Sequence, residues 1–168
     1  MARMDQLVFE PITLHKPGTI ERLLAESFDG MAADQAEQEN CRRKWRDADR
    51  ETFENPDTIG RCTFITTLNS EPIGVGSFDP RGAPEVGEIG INCILPAYRG
   101  RGFGKQQMEE LLRRLTSLGI RKAFVTTGDH AFFEVAQRMY LACGFRETRR
   151  FRKYEQFQWQ VIEYEKEL

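Results

Sequence analysis

Seven residues, Arg99-Gly100-Arg101-Gly102-Phe103-Gly104-Lys105, bring together three alternating glycines and three cations. Glycines at that spacing let the backbone turn tightly and come close to a ligand with no side chain in between. Apolar residues then recur at Met108, Leu111, Leu112, Leu115 and Leu118, the spacing of one helix face that begins with Phe103. The first amides of such a helix have no intrahelical acceptor, and its dipole adds positive potential there. Amides, dipole and cations together suit a pyrophosphate. The two common nucleotide motifs fail on this stretch. A Walker loop needs a glycine where Arg99 stands and a Ser or Thr where Gln106 stands. A Rossmann fingerprint needs its third glycine where Lys105 stands. What remains is Arg-x-x-Gly-x-Gly, led in by Pro96-Ala97-Tyr98.

The other reactive side chains are sparse. Cys41, Cys62, Cys93 and Cys143 form no CxxC pair, and the chain has two histidines. Neither a zinc site nor a disulfide framework is expected. Cys93 and Cys143 could in principle form an acyl-cysteine, but neither has an activating histidine nearby in sequence, and His130 reads as the start of a helix.

The elements that must carry the turn follow from periodicity. Leu7–Leu14 reads as a strand ended by Lys16-Pro17-Gly18. Thr19 is placed to cap a helix with Ile20, Leu23, Leu24 and Phe28 on one face. A polar helix from Ala32 to about Asp49 follows, with a thin stripe of Cys41, Trp45 and Ala48. Arg61–Leu68 and Pro72–Phe78 read as strands joined by a hairpin turn at Asn69-Ser70-Glu71. Val86–Leu95 is a third strand, stopped by Pro96, and leads into the turn and the helix Phe103–Leu118. Arg121–Thr127 is a short strand. Asp129 is placed to cap a helix to Cys143 with a buried stripe of Phe132, Val135, Ala136, Met139 and Cys143, stopped at Gly144. Strands near Phe145–Arg152 and Phe157–Tyr164 finish the chain. The order βαα-ββ-βαβα-ββ describes an α/β mixed sheet with helices on both faces, and residues 1–168 read as a single domain.

At this point the sequence resembles the GNAT superfamily of N-acetyltransferases. Their core motif is a strand, then Gln/Arg-x-x-Gly-x-Gly/Ala, then a helix whose N-terminus holds the pyrophosphate of acetyl-CoA. Arg99, Gly102 and Gly104 match the defining positions. A second motif, Ala-x-x-Leu-Tyr-x-x-x-Gly-Phe, is matched by Ala136, Met139, Tyr140, Gly144 and Phe145. The Asn that often stands three residues before that alanine is Phe133 here. The resemblance covers Glu85–Thr148. It implies a GNAT-like acyl-CoA N-acyltransferase fold, with acetyl-CoA as acyl donor, no metal, and direct transfer to an amine in a ternary complex. It implies coenzyme contacts at Ile94 and Leu95 and at Arg99, Gly100, Arg101, Gly102, Phe103, Gly104 and Lys105. An amide near Ile94 would face the oxyanion, and the hydroxyl of Tyr140 would protonate the departing thiolate.

A lysine-like amine has a pKa of about 10.4, so a base or a water relay must take its proton near neutral pH. Glu88 sits where some family members carry that carboxylate. Glu85 and ordered water are the alternatives. The acceptor is a small-molecule or peptide amine. Asp29, Asp34 and Glu37 suit a cationic amine, whereas Arg149, Arg150 and Arg152 suit an acidic substrate. A non-catalytic acyl-CoA sensor of the same fold is the rival reading, and a homodimer is left open.

The bulk numbers exclude other classes. A formal charge of −2 gives no global attraction to nucleic acid or an anionic membrane, and the short basic run Arg146–Lys153 would bind nucleic acid weakly. No apolar run approaches the roughly 20 residues that span a bilayer. The first residues are polar where a secretory signal needs an apolar core, so the expected address is the cytoplasm.

Overall fold

The computed structural model describes residues 5–153, 155 and 158–168. In chain order these form β1 (Leu7–Pro11), α1 (Thr19–Ser27), α2 (Gln35–Glu54), β2 (Thr63–Leu68), β3 (Glu71–Asp79) and β4 (Val86–Ile94). There follow α3 (Phe103–Ser117), β5 (Lys122–Gly128), α4 (Glu134–Ala142), β6 (Arg146–Phe151) and β7 (Val161–Glu167). The element order is the one read from periodicity. The strands stand in the order β1-β2-β3-β4-β5-β7-β6, with β4 and β5 parallel and the β1–β2, β2–β3, β5–β7 and β6–β7 pairs antiparallel. Two compact units divide the chain, residues 1–77 with 91–107 and residues 78–90 with 108–168.

In the first unit, Asn69 and Ser70 join β2 to β3 with φ of 51° and 72°, the paired positive values of a tight I′ hairpin turn. The core sets Ile20, Leu23 and Leu24 of α1 against Ile65, Val75, Cys93 and Leu95, with Phe28 and Trp45 partly buried beside them. Thr19 does not cap α1. The cap is Gly18, and the acceptor comes from α2: the buried Asp49 takes hydrogen bonds from Gly18 N at 2.8 Å, Ile20 N at 2.9 Å and Glu21 N at 3.1 Å. α2 itself runs past the expected end near Asp49 to Glu54. The strand expected over Leu7–Leu14 ends at Pro11, which has no N–H to extend the ladder, and Ile12–Leu14 forms a 3₁₀ turn. Another 3₁₀ turn, Gly60–Cys62, replaces the start expected for β2.

In the second unit, β4 and β5 pair only from Val86–Lys122 to Glu88–Phe124, although both strands continue. Asp129 does not cap a helix either. Its N–H donates to Gln160 O at 2.9 Å and its Oδ1 accepts from Gln160 N at 2.7 Å, which ties the end of β5 to the approach to β7. His130 caps instead, its Nδ1 accepting from Phe132 N before a 3₁₀ turn at Ala131–Phe133. Two residues expected in buried stripes are exposed: Val135 on α4, and Leu118, which lies past the last residue of α3. The last strand runs Val161–Glu167, shifted from the expected Phe157–Tyr164. Phe157 and Tyr154 lie outside the described residues.

The buried carboxylate of Asp49 satisfies three of the amides that open α1. Asp49→Ala is expected to cost about 2–3 kcal/mol, a lost cap together with charge-assisted bonds. Asp49→Asn should cost less, since one oxygen remains. Urea unfolding of the three proteins checks the order.

Candidate active site

The glycine turn lies in the first unit. Leu95 N donates to Ile73 O at 2.7 Å, continuing β4 beside β3, and Pro96–Tyr98 then forms a 3₁₀ turn. Because successive strand residues point their backbone groups to opposite edges, the N–H of Ile94 faces away from β3. The carbonyl of the same residue accepts from Arg99 Nε at 2.9 Å. Gly100 and Gly102 have φ of +76° and +83°, and a Cβ built on either would meet nothing within 4 Å. Backbone conformation therefore demands glycine there, and the space beside both is open. The helical ladder of α3 opens with Gln106 N donating to Gly102 O at 3.1 Å, so the amides of Phe103 and Gly104 precede it and have no acceptor within the helix. Arg101 lies 4.8 Å over the ring of Phe103, and its Nη2 donates to Asp5 Oδ2 at 2.9 Å. Lys105 is exposed.

Gln107 is a residue that the sequence reading did not single out. It is fully buried. Thr66 Oγ1 donates to its Oε1 at 2.6 Å, and its Nε2 lies 2.8 Å from Asn92 Oδ1, 3.1 Å from Val75 O and 3.2 Å from Cys93 O. One side chain near the start of α3, its fifth residue, is thus bonded to β2, β3 and β4. Gly74 belongs to the same arrangement, because a Cβ there would stand 2.6 Å from Cys93 O and 2.9 Å from Gln107 Oε1. A polar residue near the start of an otherwise apolar helix face was the available signal.

Glu88 and Tyr140 lie in the second unit. Glu88 is half-buried on β4, and loss of water raises its pKa, as does the nearby negative charge of Asp79; Lys153 and Arg81 act in the opposite direction. Asp79 is itself held below the usual carboxylate range by its hydrogen bonds from Arg81. Glu85 is more open and pairs with Arg121 at 3.3 Å.

Tyr140 is 5% exposed and packs its ring against Phe145 at 6.0 Å and Tyr164 at 5.6 Å between centroids. The residues after it end α4 in a Schellman motif. Gly144, with φ of +86°, donates its N–H to Leu141 O, and Phe145 N donates to Tyr140 O, both at 3.1 Å. The spacing Tyr-x-x-x-Gly-Phe is therefore a helix stop whose hydrophobic contact is Tyr140 on Phe145. Phe133 packs on Phe132 and Trp159 and covers Gly128, where a Cβ would stand 2.7 Å from its ring.

The thiols of Cys41 and Cys93 are both held above the ordinary thiol pKa, chiefly by burial, which disfavours the thiolate. Cys143 Sγ lies 3.7 Å from Met139 Sδ. Among the charges considered for an acceptor, Asp34 and Glu37 are engaged at the start of α2, accepting from Glu37 N and Ala33 N. Arg149 and Arg150 pair with Glu163 and Glu147.

Comparison with known proteins adds three findings. The profile of the acetyltransferase (GNAT) family matches residues 20–145. No curated protein matches the chain by sequence. Among solved structures, a candidate GNAT-family acetyltransferase from Desulfovibrio desulfuricans superposes with a TM-score of 0.76 at 15% identity, covering 97% of this chain and 98% of the other. A chain of the NatC complex bound to Gag peptide and CoA gives 0.68 at 17%, with 97% and 99% covered. A candidate streptothricin acetyltransferase from Bacillus anthracis str. Ames, in complex with acetyl coenzyme A, gives 0.57 at 17%, with 63% and 61% covered. Identities this low show a shared fold.

The glycines of the turn are expected to separate on substitution. Gly102→Ala places a Cβ at positive φ and should lose about 1–2 kcal/mol. Gly104→Ala, whose Cβ would meet only Ile94 Cγ1 at 3.9 Å, should be neutral or gain up to about 1 kcal/mol from helix propensity. Chemical denaturation of both variants checks this.

Glu88 gives a pH prediction. Its folded pKa is raised, so the folded state favours the protonated carboxyl. That contribution is fully present below the ordinary carboxylate value and is lost as pH rises through the raised one. Glu88→Gln should therefore melt higher than the parent at neutral pH and lose that advantage in acid. Melting curves across the carboxylate range test the sign.

Proposed function

Because the chain belongs to the GNAT acetyltransferase family, we propose that it transfers the acetyl group of acetyl-CoA to a primary amine by direct attack in a ternary complex. The observation that carries this reading is the turn itself. Two glycines at positive φ, with open space beside them, lead into a helix whose opening amides lack intrahelical acceptors. That arrangement suits the coenzyme's pyrophosphate, and Arg101 and Lys105 add positive charge.

Each residue then has a defined task. Glu88, directly or through water, takes a proton from the ammonium form of the acceptor. The neutral nitrogen attacks the thioester carbonyl carbon, and the N–H of Ile94 donates to the oxygen that becomes negative. Collapse of the tetrahedral intermediate breaks the carbon–sulfur bond, and Tyr140 gives its hydroxyl proton to the departing thiolate. The nitrogen loses its second proton, which returns through water to Tyr140, and Glu88 releases the first to solvent. The products are an N-acetyl amide and free coenzyme A. The raised pKa of Glu88 supports its role, since a base works best with a pKa close to the working pH. The Schellman stop that fixes Tyr140 on Phe145 supports the second role.

Acetyl-CoA with a panel of primary amines, small molecules and peptides together, should release free thiol. Tyr140→Phe should then lower turnover by about 10²–10⁴-fold, the usual general-acid range. Acetyl-CoA affinity should change far less, because the hydroxyl acts mainly in the transition state. Turnover within a factor of about two of the parent removes Tyr140 from the mechanism. Binding of acetyl-CoA without thiol release from any amine counts against transfer.

A further inference from the structure

Arg99 has two donors committed inside the first unit. Its Nε–H bonds Ile94 O at 2.9 Å, and an Nη2–H bonds Ser27 O at 2.8 Å. Ile94 is the last residue of β4 and Ser27 the last of α1. Ser27 is 1% exposed and Ile94 6% exposed, so a carbonyl left without its donor there would lose a bond that water is poorly placed to replace. Ser27 O is also one of the final helix carbonyls that have no intrahelical donor, where a cation is favoured.

We propose that Arg99 is a positioning residue. Its planar fork joins the end of α1 to the end of β4 and so sets the strand end from which the glycine turn departs. Two of its donors, those to Ile94 O and Ser27 O, are held by the fold rather than by the coenzyme's phosphates. The proposal rests on the reading that this turn binds the coenzyme. Ile94 also carries the N–H assigned to the oxyanion, so the bond to its carbonyl anchors the residue that bears that group. A lysine cannot do this work, because its donors radiate from a single atom while the guanidinium presents a fixed fork. Arg99→Lys keeps the charge and loses the fork, so it separates a role that needs the fork from one that charge alone can fill.

Trp45 stacks on Phe28, the residue after Ser27, with ring centroids 6.2 Å apart, and so reports on the end of α1. The experiment places Arg99→Lys and Arg99→Gln in a Trp159→Phe background, where emission comes from Trp45 alone. Ile65→Val, a fully buried position in the same core, serves as a control that is destabilised without touching the fork. Both Arg99 variants are expected to melt cooperatively and to show shifted Trp45 emission without ligand. They should bind acetyl-CoA about tenfold more weakly, the factor expected for one lost charge-assisted bond. That factor should be equal at about 50 mM and about 500 mM salt, because a screened charge contact would fade over that range. Ile65→Val should keep parental emission and affinity. Arg99→Lys with parental emission and with affinity within about twofold of the parent overturns the proposal. Absence of acetyl-CoA binding by the parent protein refutes the reading of the turn instead, and the emission of the unliganded variants still decides whether the fork exists.

Discussion

One buried amide sets the geometry of the site. Burying an amide without partners costs several kcal/mol, so the side chain of Gln107 is stable in the interior only where its acceptors and donor stand ready. Thr66, Val75, Asn92 and Cys93 supply them from three adjacent strands. The requirement works in both directions: the strands satisfy Gln107, and Gln107 fixes the start of α3 to them. Gly74 is the space that this demands, since any side chain there would strike Cys93 O and Gln107. Amides can serve as a preorganised anion site only if the helix that carries them cannot shift, and this network prevents the shift.

Charge is distributed on the same logic. Most ion pairs of the described residues are exposed or partly exposed, such as Arg22 with Glu26 and Arg138 with Glu134, and pairs of that kind contribute little to stability. The ionised groups that matter to the architecture bond to backbone, as Asp49 does to the amides opening α1 and Arg99 to the carbonyls ending α1 and β4. Both ends of α1 are thereby closed by a side chain of opposite sign to the local dipole, the arrangement electrostatics favours.

The parts of this fold that were legible in the sequence are those written in local pattern. Element order followed from hydrophobic period. The glycine turn followed from spacing, and its two positive φ values are the physical content of that spacing. The Tyr140–Phe145 spacing also turned out to be local, a helix stop with its own hydrophobic contact. What stayed hidden depends on residues distant in sequence. Thr19 and Asp129 have the composition of caps, but α1 takes its acceptor from Asp49, and Asp129 bonds Gln160. Helix propensity cannot reveal that a carboxylate about thirty positions away will arrive at an N-terminus. Gln107 was overlooked for a related reason: inside an amphipathic stripe it reads as one polar interruption until the strands beneath it are in place.

Glu88 and Glu85 show how three-dimensional environment separates two residues that sequence left as alternatives. Glu85 lies open with its side chain 71% exposed and pairs with Arg121 at 3.3 Å. Glu88 has lost part of its water and stands near Asp79, whose own charge is held in place by Arg81. Loss of water and like-charged neighbours work against a charge in that position and outweigh the attraction of Lys153 and Arg81. A glutamine of the same size would remove the electrostatic penalty. Groups whose surroundings disfavour their own charge concentrate where chemistry requires a tuned pKa. The surroundings of Glu88 raise its pKa, which is why the proposed transfer assigns the base to it.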